Sequence, residues 1–284
     1  MKGLPFNYRL LLVIPMIVLL VSLGIMVNQY NQTGEWFQRS IELKGGTVLT
    51  VSTDEPLEIK LIESDLQPKF PSLTVRETRS FEGYGTLIEM DSETDVDAVL
   101  GELESIGVDI SDHSIENVGS SLGSSFWIQA QLGLIIAFIF MGIIVFVIFR
   151  SLIPSLAVIA SAVSDILITL GMMQFFGIQL SLAGFAALLM LIGYSVDTDI
   201  MLTSRLLRES DEKEIDVKLR KAVKTGLTMT LTTVGALLAL LLSSISVVLS
   251  QIAIVLLIGL VFDIMNTWLM NSVMLKWYVE RKGI

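Results

Sequence analysis

The chain has 284 residues, 52% of them hydrophobic, and its mean hydropathy of +0.71 excludes an ordinary soluble domain. The sequence contains no cysteine, which excludes disulfides, thiol chemistry and cysteine-ligated metals. Its formal net charge of −10 disfavours a nucleic-acid partner, because phosphates would be repelled. The composition therefore predicts a membrane protein.

Six segments are apolar and long enough to cross the roughly 30 Å hydrocarbon core of a bilayer. They lie at residues 10–27, 126–149, 155–176, 181–204, 226–249 and 251–275. The first is expected to be retained as an anchor, because no alanine precedes Ala98 and an Ala-x-Ala cleavage site is absent. The predicted organisation is a first helix within 1–27, a domain at 28–125 and five further helices within 126–284.

Basic residues predict the orientation of these spans, because Lys and Arg in short flanks stay in the cytoplasm. They occur before span one, between spans two and three, in the connection 205–225, and after span six: Lys2, Arg9, Arg150, Arg205, Arg208, Lys213, Lys218, Arg220, Lys221, Lys224, Lys276, Arg281 and Lys282. Both termini are therefore expected in the cytoplasm of a multi-pass protein of the cell membrane.

The domain at 28–125 is strongly acidic, with 19 Asp and Glu against 6 Lys and Arg. A solvated outer surface is the simplest interpretation of this charge. Asn31 begins a glycosylation sequon on the predicted outer side, and its closeness to the membrane leaves its use open.

The first part of this domain predicts a strand and a helix. The stretch 40–53 is typical of a strand interrupted by Gly45 and Gly46, which are expected to serve a bulge or a close backbone approach. A short helix is expected to start at Pro56, with Leu57, Leu61 and Ile62 on one side.

The second part predicts two strands, a helix and a final strand. The segments 73–79 and 84–91 are expected to pair around a turn containing Gly83. A helix capped by Thr94 or Asp95 and ending at Gly107 carries one apolar face, formed by Val96, Val99, Leu100 and Leu103. With a last strand at 112–118, the order β-α-β-β-α-β predicts an α+β ferredoxin-like domain.

Two apparent enzyme motifs do not have the context they need. The segment GSSLG at 119–123 matches G-x-S-x-G, but His113 is the only histidine and precedes it, which argues against an esterase. Gly45 and Gly46 do not belong to a phosphate-binding loop, because no glycine is followed by lysine and serine or threonine. We therefore expect no enzyme activity, catalytic residue, cofactor or metal site.

Four carboxylates lie inside the predicted spans, and a charge in lipid is by default a sign of function. They are Asp165, Asp197, Asp199 and Asp263. Residues two apart on a helix point about 200° apart, so Asp197 and Asp199 cannot face the same partner. One of the two is expected to be mechanistic and the other structural or interfacial.

Span five offers a polar surface at the depth of Asp197. A helical stripe is formed by Thr225, Thr228, Thr232 and Gly235. We predict that Asp197 pairs with Thr228 and Thr232, and that Gly193 lets a neighbouring helix approach on the same face. The alternative is that these threonines only pack and bond back to carbonyls of their own helix.

Two motifs resemble those of a known family. The segment IELKGGT, which contains Gly45 and Gly46, resembles the acidic-x-x-Gly-Gly signature of SecD and SecF proteins. The segment GYSVDTDIMLTSRLLRE at 193–209 resembles the fourth-span motif of SecF, especially in its archaeal form. The resemblance covers nearly the whole chain, and it implies membership of the resistance-nodulation-division superfamily. It also implies work beside the Sec translocon, where an ion gradient drives preprotein export.

The resemblance also suggests roles for individual residues. Asp197 is the principal candidate for ion coupling, although bacterial SecF has Asn-Asp where this chain has Asp-Thr. Lys221 falls near a bacterial arginine and keeps its charge but not its bidentate fork. Asp165 resembles the third-span aspartate of the family, and Asp263 resembles a feature of the archaeal branch. Asp199 completes the candidate set.

Rival functions make different demands on the sequence. A solitary transporter of small molecules or lipids from this superfamily would need two repeated halves, and this chain supplies one. An intramembrane aspartyl protease would need a Gly-x-Gly-Asp motif, which does not occur. We therefore predict half of a heterodimer with a SecD-like subunit, with Gly184, Ala187 and Gly193 available for close helix contact. The coupling ion, H⁺ or Na⁺, stays open, as do the preproteins served and the stoichiometry with the translocon.

Overall fold

The computed structural model describes residues 11–53, 57–71, 73–80, 83–207, 215–243 and 246–282. Its elements in chain order are α1 (Val13–Thr33), α2 (Ile41–Lys44), β1 (Gly46–Thr53), α3 (Ile59–Leu66), β2 (Thr74–Ser80), β3 (Gly83–Met90), α4 (Val96–Ser105), β4 (His113–Val118), α5 (Ser120–Phe149), α6 (Leu152–Phe175), α7 (Leu182–Leu207), α8 (Ile215–Ser243), α9 (Val247–Met265), a π-helix (Asn266–Asn271) and α10 (Ser272–Lys282). The predicted helix start at Pro56 and the predicted flanking residues Lys2, Arg9, Arg208 and Lys213 lie outside the described residues.

The described residues contain six helices long and apolar enough to cross a membrane: α1, α5, α6, α7, α8, and the continuous rod of α9, the π-helix and α10. The six predicted spans are confirmed, and the chain is a multi-pass helical membrane protein. The helices are longer than the apolar segments, since α1 continues to Thr33 and α8 already begins at Ile215. An apolar segment ends where its apolar residues end, whereas a helix continues as long as its backbone hydrogen bonds continue.

A four-stranded antiparallel sheet with order β2-β3-β1-β4 forms the domain between α1 and α5. We call residues 46–118 the sheet domain. Its core joins the sheet to α3 and α4, through side chains that include Leu49, Ile88, Leu66 and Leu103. The β2–β3 hairpin and the α4 helix follow the prediction, and the Asp95 carboxylate caps α4 by accepting from the Asp97 amide.

Two predictions for this region are wrong in detail. Residues 41–44 form a helical turn and not the beginning of a strand, because Gly45 adopts φ +86° and its N–H closes the turn on Ile41 O. In α3 the buried positions are Ile62 and Leu66, four residues apart, whereas Leu61 is exposed. The helical period from the observed start at Ile59 turns Leu61 to the outside.

The predicted close backbone approach at Gly45 and Gly46 is confirmed. A Cβ added to Gly45 would lie 2.4 Å from Ser120 Cα, and one added to Gly46 would lie 2.6 Å from Met90 O. Gly123 approaches from the other side, since its added Cβ would lie 2.5 Å from Gly45 N. These contacts join the start of the sheet domain to the first turn of α5.

Helices α6 and α7 form the buried centre of the bundle. α1 packs on α6 where Gly171 meets Ser22, and α9 packs on α7 where Gly259 meets Leu191. The α6–α7 connection also holds the segment before the sheet domain: Ser40 N donates to Leu180 O at 2.9 Å, and Leu180 N donates to Gln38 O at 2.8 Å.

Candidate functional site

Three of the four predicted carboxyls meet in the centre of the bundle. Asp165 comes from α6, Asp199 from α7 and Asp263 from α9, and their exposed fractions are 1%, 0% and 1%. We call them, with the hydroxyl and amide side chains around them, the carboxyl cluster. Its position in the most buried part of six apolar helices separates it from both water and lipid.

Asp165 accepts hydrogen bonds on both of its oxygens. Ser195 Oγ of α7 donates to Oδ2 at 2.6 Å, and Asn266 Nδ2 of the π-helix donates to Oδ1 at 2.6 Å. The same amide nitrogen lies 3.1 Å from Ser164 Oγ. Asp165 therefore joins α6 to two other elements, as a buried polar group must do to offset its desolvation.

Asp199 and Asp263 meet through a shared hydroxyl. Thr267 Oγ1 lies 2.9 Å from Asp199 Oδ1 and 3.3 Å from Asp263 Oδ1. Asp263 is also a close neighbour of Asp165 and Ser195. The three carboxyls thus form a continuous polar path, in which Thr267 connects the α7 end to the pair formed by Asp165 and Asp263.

The second oxygen of Asp199 faces polar groups without a hydrogen bond. Ser161 and Asn271 lie beside this carboxyl, outside hydrogen-bonding geometry. Asp199 Oδ2, Ser161 Oγ and both polar atoms of Asn271 are buried without a partner among the described residues. The cluster therefore contains buried donor and acceptor atoms that form no hydrogen bond among the described residues. The carboxyls of the cluster are not arranged to hold a metal ion together, and no other group of three or more His, Asp or Glu side chains in the described residues is.

The π-helix supplies half of the six neutral side chains of the cluster. Asn266, Thr267 and Asn271 are each 0% exposed and all belong to this segment. Wider winding brings residues five positions apart onto one face, and π-segments inside α-helices are frequent at functional sites. Here Asn266 and Asn271 are five apart and both belong to the cluster.

Asp197 lies on the opposite side of α7 from the cluster. It is exposed, and it lines a surface cavity of about 290 Å³ with residues of α7, α8 and α9: Tyr194, Thr198, Met229, Thr230, Thr232, Thr233 and Leu260. The opposite directions of Asp197 and Asp199 follow the 200° expected for residues two apart.

The predicted hydrogen bonds from α8 to Asp197 do not form. Thr228 Oγ1 donates to Lys224 O at 2.8 Å, and Thr232 Oγ1 donates to Met229 O at 2.7 Å. A hydroxyl has one proton, so neither can also donate to Asp197. Thr225 likewise bonds back to Lys221 O, so the alternative of backward bonding describes these threonines.

The remaining predicted residues lie away from the cluster. Lys221 is exposed on α8, and the cluster's described hydrogen bonds come only from α6, α7, α9 and the π-helix. Gly193 and Gly235 have nothing within 4 Å of an added Cβ, so within the described chain no helix approaches them. Gly193 stays available to another subunit.

Sequence reasoning missed the neutral members of the cluster: Ser161, Ser164, Ser195, Asn266, Thr267 and Asn271. The signal was present in DIMNTWLMN at 263–271, where four polar residues follow the most apolar part of the last span. Their three- to five-residue spacing would have placed them on one face near Asp263.

Comparison with known proteins identifies relatives along the whole chain. The family described as "Protein export membrane protein SecD/SecF, C-terminal" matches residues 98–281. The protein-export membrane protein SecF of Methanocaldococcus jannaschii is 37% identical over 96% of this chain and 96% of its own length. The SecF of Methanolacinia petrolearia is 38% identical, with 98% of this chain and 96% of the relative covered.

A solved structure shares the fold. The crystal structure of SecDF, a translocon-associated membrane protein from Thermus thermophilus, superposes with a TM-score of 0.76 over 97% of this chain at 22% identity. This chain corresponds to 39% of that longer chain.

Proposed function

Because the chain belongs to the SecF group of the SecD/SecF family of protein-export membrane proteins, we propose that its carboxyl cluster couples an ion gradient to preprotein translocation. As a SecF protein, the chain is an accessory subunit of Sec protein export. The proposal adds the place where the gradient acts, namely Asp165, Asp199 and Asp263.

The observation that carries this proposal is the set of hydrogen bonds joining three helices through those carboxyls. A charge buried among apolar helices costs several kcal/mol unless it is paired. The cluster contains no cationic partner among the described hydrogen bonds, so a proton or cation must accompany most of its carboxylates. Gain or loss of that ion changes which hydrogen bonds join α6, α7 and the last span, and so favours one helix arrangement over another.

The proposal assigns different roles to the two aspartates of α7. Asp199 takes the coupling role, because it is fully buried and linked to Thr267. Asp197 takes an interfacial role, because it faces outward into a cavity at the bundle surface. This reverses the order of the two residues expected from the family motif.

We further propose a SecD-like subunit as the partner at the Asp197 face. The open surface at Gly193 and the carboxylate at Asp197 lie on one side of α7, where a second six-helix subunit could cover them. The translocon and the preprotein are the further partners that this role requires. No described feature favours a solitary transporter, and we expect no enzymatic activity.

The proposed orientation has both termini and the 205–225 connection in the cytoplasm and the sheet domain outside. It is supported by the basic flanks and by the acidic domain between α1 and α5. The order β-α-β-β-α-β with strand order β2-β3-β1-β4 supports a ferredoxin-like assignment for that domain.

The test replaces each α7 aspartate by asparagine and measures gradient-dependent preprotein export in membranes that contain the partner. Asp199→Asn should reduce this export to the level seen without a gradient, because a neutral amide cannot exchange an ion. Asp197→Asn should retain coupling and weaken copurification with the SecD-like subunit. Normal gradient-dependent export by both Asp199→Asn and Asp165→Asn would contradict the proposed function.

A further inference from the structure

Thr267 differs from the other threonines of the membrane helices in where its hydroxyl points. Most of them bond back to a carbonyl three or four residues earlier in their own helix: Thr169, Thr198, Thr225, Thr228, Thr230, Thr232 and Thr233. Backward bonding is the ordinary behaviour of threonine in a helix. Thr267 Oγ1 instead contacts two carboxyls, Asp199 Oδ1 and Asp263 Oδ1.

The hydroxyl of Thr267 has only one proton, which restricts the protonation of its two neighbours. It can donate a hydrogen bond to one carboxylate at a time, and it can accept a hydrogen bond from a second group at the same moment. If both carboxyls were ionised, one of them would meet the hydroxyl oxygen without a proton between them, in a region with no exposed side chain. The arrangement is satisfied when one of the two carboxyls is protonated and donates to Thr267 while Thr267 donates to the other.

We propose that Thr267 is a proton relay between Asp263 and Asp199, a role that rests on the proposed function of the cluster. In the forward step the Asp263 O–H bond breaks and its proton forms a new O–H bond on Thr267 Oγ1. At the same time the original Thr267 proton moves to Asp199 Oδ1. The hydroxyl is regenerated, Asp263 becomes the carboxylate and Asp199 becomes the acid, so the step needs no other reactant.

The two distances differ in how close they are to the starting state of this step. The shorter contact, 2.9 Å, joins Thr267 to Asp199 and lies within the range of a hydroxyl donating to an oxygen acceptor. The longer contact, 3.3 Å, joins it to Asp263 and must shorten before the proton of Asp263 can move. Asp263 also neighbours Asp165, so the relay extends towards the middle of the bundle.

The titratable groups brought to this place by the packed helices are Asp165, Asp199 and Asp263. Thr267 lies within the π-helix, whose winding differs from that of the α-helices on either side. Because its hydroxyl reaches both α7 and Asp263, Thr267 is the one described side chain hydrogen-bonded to both Asp199 and Asp263.

The experiment compares Thr267→Val, which removes the hydroxyl and keeps the shape, with Thr267→Ser, which keeps the hydroxyl. The matched control is Ser155→Ala, which removes a buried hydroxyl of α6 that bonds back to Ser151 O and touches neither the carboxyl cluster nor the Asp197 cavity. Gradient-dependent export by Thr267→Val should fall by about 100-fold or more, the effect typical of a lost proton-transfer group. Thr267→Ser should recover most of it, and Ser155→Ala should match the wild type.

A second readout responds to proton transfer and not to packing. Infrared difference spectra of the wild type, recorded as the gradient is imposed, should show the Asp263 carboxylic acid band decreasing as the Asp199 band increases. Asp263→Asn and Asp199→Asn assign the two bands. Thr267→Val should remove this paired change while its copurification with the partner stays that of the wild type.

Three results would overturn the relay. The first is wild-type export by Thr267→Val, and the second is equal loss in Thr267→Val and Thr267→Ser, which would indicate packing. The third is independent titration of Asp199 and Asp263 in the wild type, which decides the matter even if Thr267→Val does not assemble. In each case a loss of coupling in Asp199→Asn would leave the proposed function intact, whereas normal coupling there would refute that function separately.

Discussion

At the scale of single residues, direction and not chemical type decides what an aspartate in α7 does. Asp197 and Asp199 have the same side chain and lie two positions apart, yet one is exposed and the other is 0% exposed. The outward carboxylate can be hydrated by water, or its charge can be balanced by the cationic group of a lipid headgroup or of a partner. The inward carboxylate depends on Thr267 and on whichever ion the cluster holds.

Glu35 provides a second residue whose charge state affects stability, in the connector between α1 and the sheet domain. Burial raises the pKa of Glu35, but the hydrogen bond from Arg39 and the charges of Lys44 and Arg39 lower it by more, so the net pKa lies below its usual value of 4.5. A carboxyl with a lowered folded-state pKa stabilises the fold above its unfolded pKa, and this stabilisation is lost as the pH falls through the folded value.

We therefore expect Glu35→Gln to lower the melting temperature at pH 7 by about 1–3 °C, the effect of a partly exposed ion pair. The difference from the wild type should close as the pH is lowered below 4.5, the usual value from which the pKa of Glu35 is displaced. Thermal unfolding at both pH values measures it, with Glu116→Gln on the exposed face of β4 as the control. A difference that stayed constant with pH would show that the Glu35 charge is not the cause.

At the scale of elements, close helix approach is set by glycines that the sequence does not distinguish from the others. A Cβ on Gly171 would lie 2.6 Å from Ser22 Cβ and 2.8 Å from Ser22 Cα, which is backbone of α1. Gly24, on α1 itself, has nothing within 4 Å of an added Cβ. The two glycines therefore predict opposite responses to the same substitution.

Gly171→Ala should separate α1 from α6 and lower the melting temperature by about 3–8 °C, since overpacking costs about 1–3 kcal/mol. Gly24→Ala should leave it unchanged or raise it slightly, because alanine favours the helix and meets no neighbour. Thermal unfolding of the purified protein in one detergent compares the two. Equal stability of both variants would refute a tight α1–α6 contact at Gly171.

The part of the fold and of the site that could be predicted from the sequence is the part that depends on local signals. Apolar length identified all six spans, and periodicity identified the β2–β3 hairpin and α4, because those signals are local. Residues 41–44 were assigned wrongly, because alternating Ile41 and Leu43 fit a strand and a buried helical turn equally well. The pairing predicted for Asp197 was wrong, because each threonine hydroxyl bonds to a carbonyl of its own helix. The π-helix that brings Asn266 and Thr267 into the cluster was missed, because it has no simple periodic signal in the sequence.

At the scale of the whole molecule, the sheet domain is tied to the same helices that hold the carboxyl cluster. The connection from α6 to α7 exchanges backbone hydrogen bonds with Gln38 and Ser40, and Glu42 Oε2 accepts from the Leu182 amide at the start of α7. A shift between α6 and α7 would therefore reach α2 and β1 through contiguous contacts. This is a structural route by which a change at Asp165 or Asp199 could move the sheet domain.

The heterodimer makes a prediction about the two faces of α7, and the naturally cysteine-free chain suits it. Single cysteines replace outward residues, Met190, Tyr194 and Asp197, or inward residues, Leu191 and Ser195, which are 0% exposed. If a SecD-like subunit covers the cavity at Asp197, crosslinks to that subunit in membranes should form at the three outward positions and not at the two inward ones. The helical spacing of the outward positions makes the pattern specific.

The control for this experiment is a cysteine at Ile139, which is 56% exposed on α5 and lies on a different helix of the bundle. It should react with a membrane-soluble thiol reagent and yet form no crosslink to the partner, because exposure to lipid alone does not bring a subunit near. Crosslinks of equal yield at Ile139 and Tyr194 would indicate random collision. Crosslinks restricted to copies of this chain, together with full activity in the partner's absence, would contradict the heterodimer and favour a self-contained transporter.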